Sequence, residues 1–162
     1  MDSFIFTFEY FKKMIEPFDH EYFMRKALQE AAAAFDRNEI PVGAVIVAQN
    51  RIIAKGHNLT ETLTDVTAHA EMQAITAASS FVGGKYLKDC TLYVTLEPCQ
   101  MCAGALYWSQ IGTVVFAASD EQRGFQAMGT QLHPKTKVIS GILGQACADL
   151  MKKFFVRKRG LN

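Results

Sequence analysis

Between residues 19 and 159 the apolar residues keep changing their spacing, from every third or fourth position to short β-branched runs and back. From residue 19 to about 35, Phe23, Ala27, Leu28, Ala31 and Ala34 recur at helical intervals in an alanine-rich stretch of high helix propensity. Residues 42–47 and 52–55, on either side of Gln49-Asn50-Arg51, read as a hairpin of buried strands, followed by a Gly56-His57-Asn58 turn. Thr67 is placed as the N-cap of a helix over 68–81, with Gly83-Gly84 as its stop. Residues 91–95 form a strand by composition, Pro98 suits the start of a helix running to about 109, and 113–117 is another strand. A weaker strand at 137–139 and an amphipathic helix over 142–159 complete the series. Such an order predicts an α/β fold with one mixed central sheet of about five strands and helices on both faces.

At 162 residues the chain has the length of about one domain. No repeat or low-complexity linker divides it, so residues 19–162 are expected to form that domain. Residues 1–18 stand apart as an extension of unassigned role: they hold five of the twelve phenylalanines, Phe4, Phe6 and Phe8 alternate as in a short strand, and Met14 offers an alternative start. With 49% hydrophobic and 20% charged residues the composition excludes wholesale disorder. The apolar runs are too short to span a bilayer and Met1-Asp2-Ser3 carries no basic leader, so a cytoplasmic protein without a membrane partner is expected. Four cysteines, at 90, 99, 102 and 147, are too unevenly spaced for a disulfide framework and fit a reducing compartment. The net charge of +1 hides an asymmetry. Lys152, Lys153, Arg157, Lys158 and Arg159 give +5, leaving 12 basic against 16 acidic residues elsewhere, so positive charge gathers at one end.

The strongest chemical signal is Cys99-Gln100-Met101-Cys102, because residues three apart on a helix share a face where two thiolates can grip one soft cation. Alone it fits a redox pair, half of a structural zinc site or simple packing. Cys90 and Cys147 form no second close pair, which argues against a four-cysteine site. His69-Ala70-Glu71, at the start of another helix, shifts the balance. An imidazole and two thiolates make three zinc ligands and leave a fourth position open to water, which zinc activates near neutral pH. Glu71, not a ligand, is then available to shuttle the proton.

The spacing His69-x-Glu71 with Pro98-Cys99-x-x-Cys102 resembles the signature of zinc nucleobase deaminases. Pro41-Val42-Gly43-Ala44-Val45, Thr67-Ala68-His69-Ala70-Glu71-Met72, Leu92-Tyr93-Val94-Thr95-Leu96-Glu97-Pro98-Cys99 and Met101-Cys102-Ala103-Gly104-Ala105 further resemble bacterial tRNA adenosine deaminases of the TadA type, over residues 20–159. This resemblance implies a three-layer α/β/α cytidine-deaminase-like fold, a homodimer, and hydrolytic conversion of adenosine to inosine at the wobble position of a tRNA anticodon. It implies one zinc ion per subunit on His69, Cys99 and Cys102, with Glu71 relaying protons from water to N1 of adenine and then to the departing ammonia. Asn58 would hold the nucleoside, the backbone of Val42 to Ala44 would floor the pocket, and Asp120 would contact the neighbouring nucleotide. The basic end, Lys152, Lys153, Phe154, Phe155, Arg157, Lys158 and Arg159, is expected to meet the phosphates and bases of the anticodon loop.

Two features depart from that pattern. Ala118-Ser119-Asp120 has a serine where tRNA deaminases commonly carry an arginine. Tyr107-Trp108 is similar to the matching stretch of guanine deaminases, which act on a free base. A guanine or other free-purine deaminase is therefore the first alternative, and a noncatalytic zinc-stabilised RNA-binding module the second.

Overall fold

The computed structural model describes residues 18–160. The expected strand around Phe4, Phe6 and Phe8, the start at Met14 and the extension as a whole fall outside the described residues, apart from Phe18. Helix α1 (His20–Asp36) opens at Asp19, whose carboxylate accepts from the Tyr22 backbone N–H at 2.8 Å. Strands β1 (Gly43–Ala48) and β2 (Arg51–His57) pair antiparallel through Gln49 and Asn50, with φ of 50° and 59°. Positive φ at both turn residues matches the twist of the flanking strands, as in a two-residue type I′ hairpin. After a one-turn helix α2 (Thr60–Leu63) come α3 (Ala70–Val82), β3 (Thr91–Leu96), α4 (Gln100–Ser109), β4 (Thr113–Ala118), β5 (Lys137–Ser140) and α5 (Gly144–Arg159).

The sheet order is β2-β1-β3-β4-β5; β1 runs antiparallel to β2 and β3, while β3, β4 and β5 are parallel. Successive strand side chains point to opposite faces, and the two faces carry separate cores. Ala44, Ile46, Leu92, Val94, Val114 and Phe116 pack with Ala70, Ala74, Ala78, Ala103 and Leu106 of α3 and α4. Val45, Val47, Tyr93, Val115 and Ala117 pack with Phe23, Met24 and Ala27 of α1 and Cys147 of α5. The result is the expected three-layer α/β/α arrangement around a mixed five-stranded sheet.

Two local expectations are corrected. Gly56 and His57 belong to β2 rather than to a turn. A Cβ at Gly56 would run into the Ala70 carbonyl, so glycine here lets the first turn of α3 lie against the strand. Thr67 is not the cap of α3: its N–H and hydroxyl both donate to Asp65, and the N-cap is His69. Short polar side chains often favour such local turns over a cap. The stop at Gly83 stands, with φ of 68°.

Candidate active site

The ends of β2, β3 and β4 and the start of β1 meet at one edge of the sheet. A cleft of about 720 Å³ opens there, lined among others by Val42, Asn58, His69, Glu71, Cys99 and Asp120. Binding in the crevice beyond the carboxyl ends of parallel strands is the usual arrangement of open α/β sheets. His69 and Cys99 are the N-cap residues of α3 and α4, yet neither side chain makes a capping hydrogen bond. Both are instead turned towards a common point. Helix N-termini carry partial positive charge, which favours thiolate there.

His69 Nδ1 lies 3.6 Å from the sulfur of Cys99 and 3.6 Å from that of Cys102. The three donor atoms fall within 4.8 Å of one another. Tetrahedral zinc, with bonds of about 2.3 Å to sulfur and about 2.05 Å to nitrogen, sets a nitrogen and a sulfur about 3.6 Å apart. The donor set therefore fits a zinc ion in chemistry and in spacing. The Cys99 thiol is pulled down to about 4 by the hydrogen bond from Cys102, with His69 adding to the effect against the opposing influence of burial. Cys102 moves the opposite way, because its proton is held in that bond and its sulfur is buried. His69 is raised, chiefly through its hydrogen bond to Cys99. Zinc takes both sulfurs as thiolates and the imidazole in its neutral form, so metal binding here is coupled to proton release.

Glu71 sits in the first turn of α3, only 4% exposed. Burial pushes its carboxyl up to about 7, and the nearby Cys99 thiolate adds to the rise. A carboxyl poised near neutrality both takes and returns protons at working pH.

Asn58 lines the cleft, and its amide nitrogen donates to Glu39 Oε2 at 3.1 Å and to Thr60 Oγ1 at 3.2 Å. Asp120 also lines the cleft, but its carboxylate is engaged by the backbone N–H groups of Gln122 and Arg123. Val42 is in the lining; Ala44, whose backbone is expected in the pocket floor, is not among the lining residues, and its side chain packs in the core between sheet and α3. The basic end needs a larger correction. Phe154 is 3% exposed and packs edge-on against Phe35, so it offers no face to a base. Arg157 donates to the Phe35 carbonyl at 2.8 Å with its guanidinium 3.9 Å from that ring's centre, which ties it to α1. Lys152, Lys153 and Arg159 are exposed, Lys158 is half-buried, and none of the four lines the cleft. Phe155 does line it, beside Met151.

Sequence reasoning missed two buried carboxylates. Glu39 accepts from Asn58, Thr60 and the backbone of Glu61 and Thr62; Glu97 accepts from the backbone of Asp120 and Gln126. A signal existed for both: each precedes a proline by one or two positions (Glu39-Ile40-Pro41, Glu97-Pro98) beside a strand end at the cleft. Ser119 itself lines the cleft, as does Arg123 from the same loop. Trp108 is 77% exposed on α4 and outside the cleft, so its similarity to guanine deaminases does not bear on the pocket.

Residues 17–118 match the family model for the cytidine and deoxycytidylate deaminase zinc-binding region. A tRNA-specific adenosine deaminase of Aquifex aeolicus is 54% identical over 104 residues, covering 64% of this chain and 69% of its own length. A solved structure from work on A-to-I editing by tRNA:A34 deaminases is 39% identical with a TM-score of 0.75, covering 80% of this chain and 98% of that one. A guanine deaminase structure from Bacillus subtilis is 44% identical with a TM-score of 0.60, over 62% of this chain and 65% of that one.

Proposed function

The chain belongs to the cytidine and deoxycytidylate deaminase family, and we propose that within it this protein is a zinc-dependent tRNA adenosine deaminase, converting adenosine to inosine at the wobble position. One arrangement carries the chemistry: an imidazole and two sulfurs at tetrahedral-edge spacing, with the buried Glu71 beside them in the same cleft. His69, Cys99 and Cys102 would hold the zinc, which when bound supplies a water activated for attack near neutral pH. Glu71 would accept a proton from the attacking water and pass it to N1 of adenine, then take the proton of the hydroxyl added at C6 and pass it to the departing amine. With a spare buried carboxyl in an open cleft, the noncatalytic alternative gives way to an enzyme.

For the substrate, adenosine in tRNA is favoured over guanine by the curated relatives, tRNA-specific adenosine deaminases up to 54% identical, and by Arg123 in the cleft wall. The anticodon loop presents its base unstacked, as the buried Glu71 requires. Exposed Lys152, Lys153 and Arg159, on the helix whose Met151 and Phe155 line the cleft, would meet the RNA backbone. The homodimer is part of the proposal: α4 leaves Trp108 exposed and Gly104 with open space beside it, a face suited to a second copy. A cytoplasmic setting follows from tRNA as substrate. The deciding experiment offers purified protein an anticodon stem-loop with wobble adenosine alongside free guanine and measures inosine and ammonia. Inosine from the stem-loop is expected; ammonia from guanine alone would reverse the substrate.

A further inference from the structure

A closed polar ring stands behind Asn58 and Thr60 in the cleft wall. Glu39 is 0% exposed and accepts four hydrogen bonds: Asn58 Nδ2 at 3.1 Å, Thr60 Oγ1 at 3.4 Å, and the Glu61 and Thr62 backbone N–H groups at 3.2 and 2.6 Å. A buried carboxylate is costly unless fully paired, and here the pairing is complete. Thr60 closes the ring, accepting from Asn58 while donating to Glu39. An amide nitrogen has two protons, so Asn58 Nδ2 is saturated within the protein. Its Oδ1 has no protein partner among the described residues and is not among the buried unpartnered atoms, so it is the part of the amide left to the cleft. The reverse orientation would set an amide oxygen against a carboxylate oxygen at 3.1 Å.

We propose that Glu39 is a positioning residue that locks the Asn58 amide so that the substrate meets an acceptor, the carbonyl oxygen, and never the amide N–H. The cleft thereby selects a ligand presenting a hydrogen-bond donor at that point. This rests on the reading of the cleft as the deaminase substrate site. Glu39 touches neither substrate nor metal and acts only through Asn58 and the turn at residues 60–62.

The test is a double-mutant cycle assayed as kcat and KM on the stem-loop, with zinc content and melting temperature measured for each protein. Glu39→Gln frees the amide to turn over, and KM is expected to rise roughly ten- to a hundred-fold with kcat little changed, the mark of lost uniform binding. Asn58→Asp sets two carboxylates face to face and is expected to lower kcat/KM at least about a hundred-fold. Combining the two restores a donor facing an acceptor and leaves an oxygen to the cleft. The pair should recover at least about ten-fold over Asn58→Asp, incompletely because the Glu61 N–H loses its acceptor. An unchanged KM in Glu39→Gln, or a pair no better than Asn58→Asp, overturns the proposal. Should Glu39→Gln lose zinc, Thr60→Val decides. It opens the ring without touching the backbone bonds, and a rise in KM of about three-fold supports the proposal where an unchanged KM sinks it. If wild-type protein acts on guanine and not on the stem-loop, the adenosine reading fails, and the same variants on guanine still decide the role of Glu39.

Discussion

The two sides of the cleft are built by different means. On the metal side, chemistry and position come from short spacings: His69 and Glu71 two apart, Cys99 and Cys102 three apart, each pair at the start of a helix whose N-cap side chain does not cap. On the other side, Glu39 and Glu97 reach across 19 to 29 residues to hold Asn58, the turn at 60–62 and the loop at 120–126, largely through backbone N–H groups. One side supplies reactive groups, the other supplies shape. Their carboxyls also move in opposite directions, since Glu71 is raised by burial among the thiols while Glu39 is lowered by its donors. A carboxylate left short of partners becomes a proton carrier, and one given four becomes a fixed post.

The division is tested most strongly at Glu71. Glu71→Gln keeps the shape of the side chain and removes its proton transfer. Deamination is expected to fall about 1,000-fold or more, with zinc content and melting temperature close to wild type. A variant that loses zinc or melts much earlier would make Glu71 a structural group like Glu39. Stripping the metal with a chelator should abolish turnover and return it on adding zinc. Permanent loss would mean that the apolar cores on the two sheet faces do not hold the ligands in place on their own.

Next in size is Glu97. Its carboxylate accepts from Asp120 N at 3.0 Å and Gln126 N at 3.1 Å, and lies against Gly124. Glu97→Ala leaves those amides without their acceptor and is expected to cost about 2–3 kcal/mol in chemical denaturation, with zinc retained. Zinc loss in this variant would join the two sides of the cleft into one cooperative unit, since Glu97 is separated from Cys99 by Pro98 alone.

The same contrast explains what could be read before the structure. The sheet, its helices and the His69–Cys99–Cys102–Glu71 corner are legible because period and short spacing are local properties of the chain. Glu39 and Glu97 are not: a carboxylate that serves backbone amides far along the chain leaves no periodic trace, and buried acidic residues are rare enough to be passed over. The terminal helix shows the opposite error. Its cations and phenylalanines look alike in sequence, but a helix has two faces. Phe154 and Arg157 turn towards Phe35, while Phe155 turns to the cleft and Lys152 and Lys153 to solvent.

That helix gives the third measurement. Lys152→Glu with Lys153→Glu is expected to weaken stem-loop binding about ten-fold at low salt and to flatten its salt dependence, without changing turnover of bound RNA. An unchanged salt slope would remove this end of α5 from the RNA surface and leave Arg123 as the cation of the cleft wall.

The smallest effect separates Glu39 from Glu71 by pH. Burial opposes ionisation of Glu39, but the hydrogen bonds from Thr62, Glu61 and Thr60 outweigh it and hold the carboxyl below its ordinary value of 4.5. Its folded form therefore binds the proton more weakly than its unfolded form. The stabilisation is complete above pH 4.5 and drains away as pH falls through the lower folded value. Wild type should exceed Glu39→Gln by about 1–2 kcal/mol near neutrality, and the gap should narrow in acid below pH 4.5. A gap that stays constant down to pH 3 would mean that the four donors serve a neutral carboxyl equally well. Glu39 would then hold the wall by shape alone, and its charge would have no part in fixing Asn58.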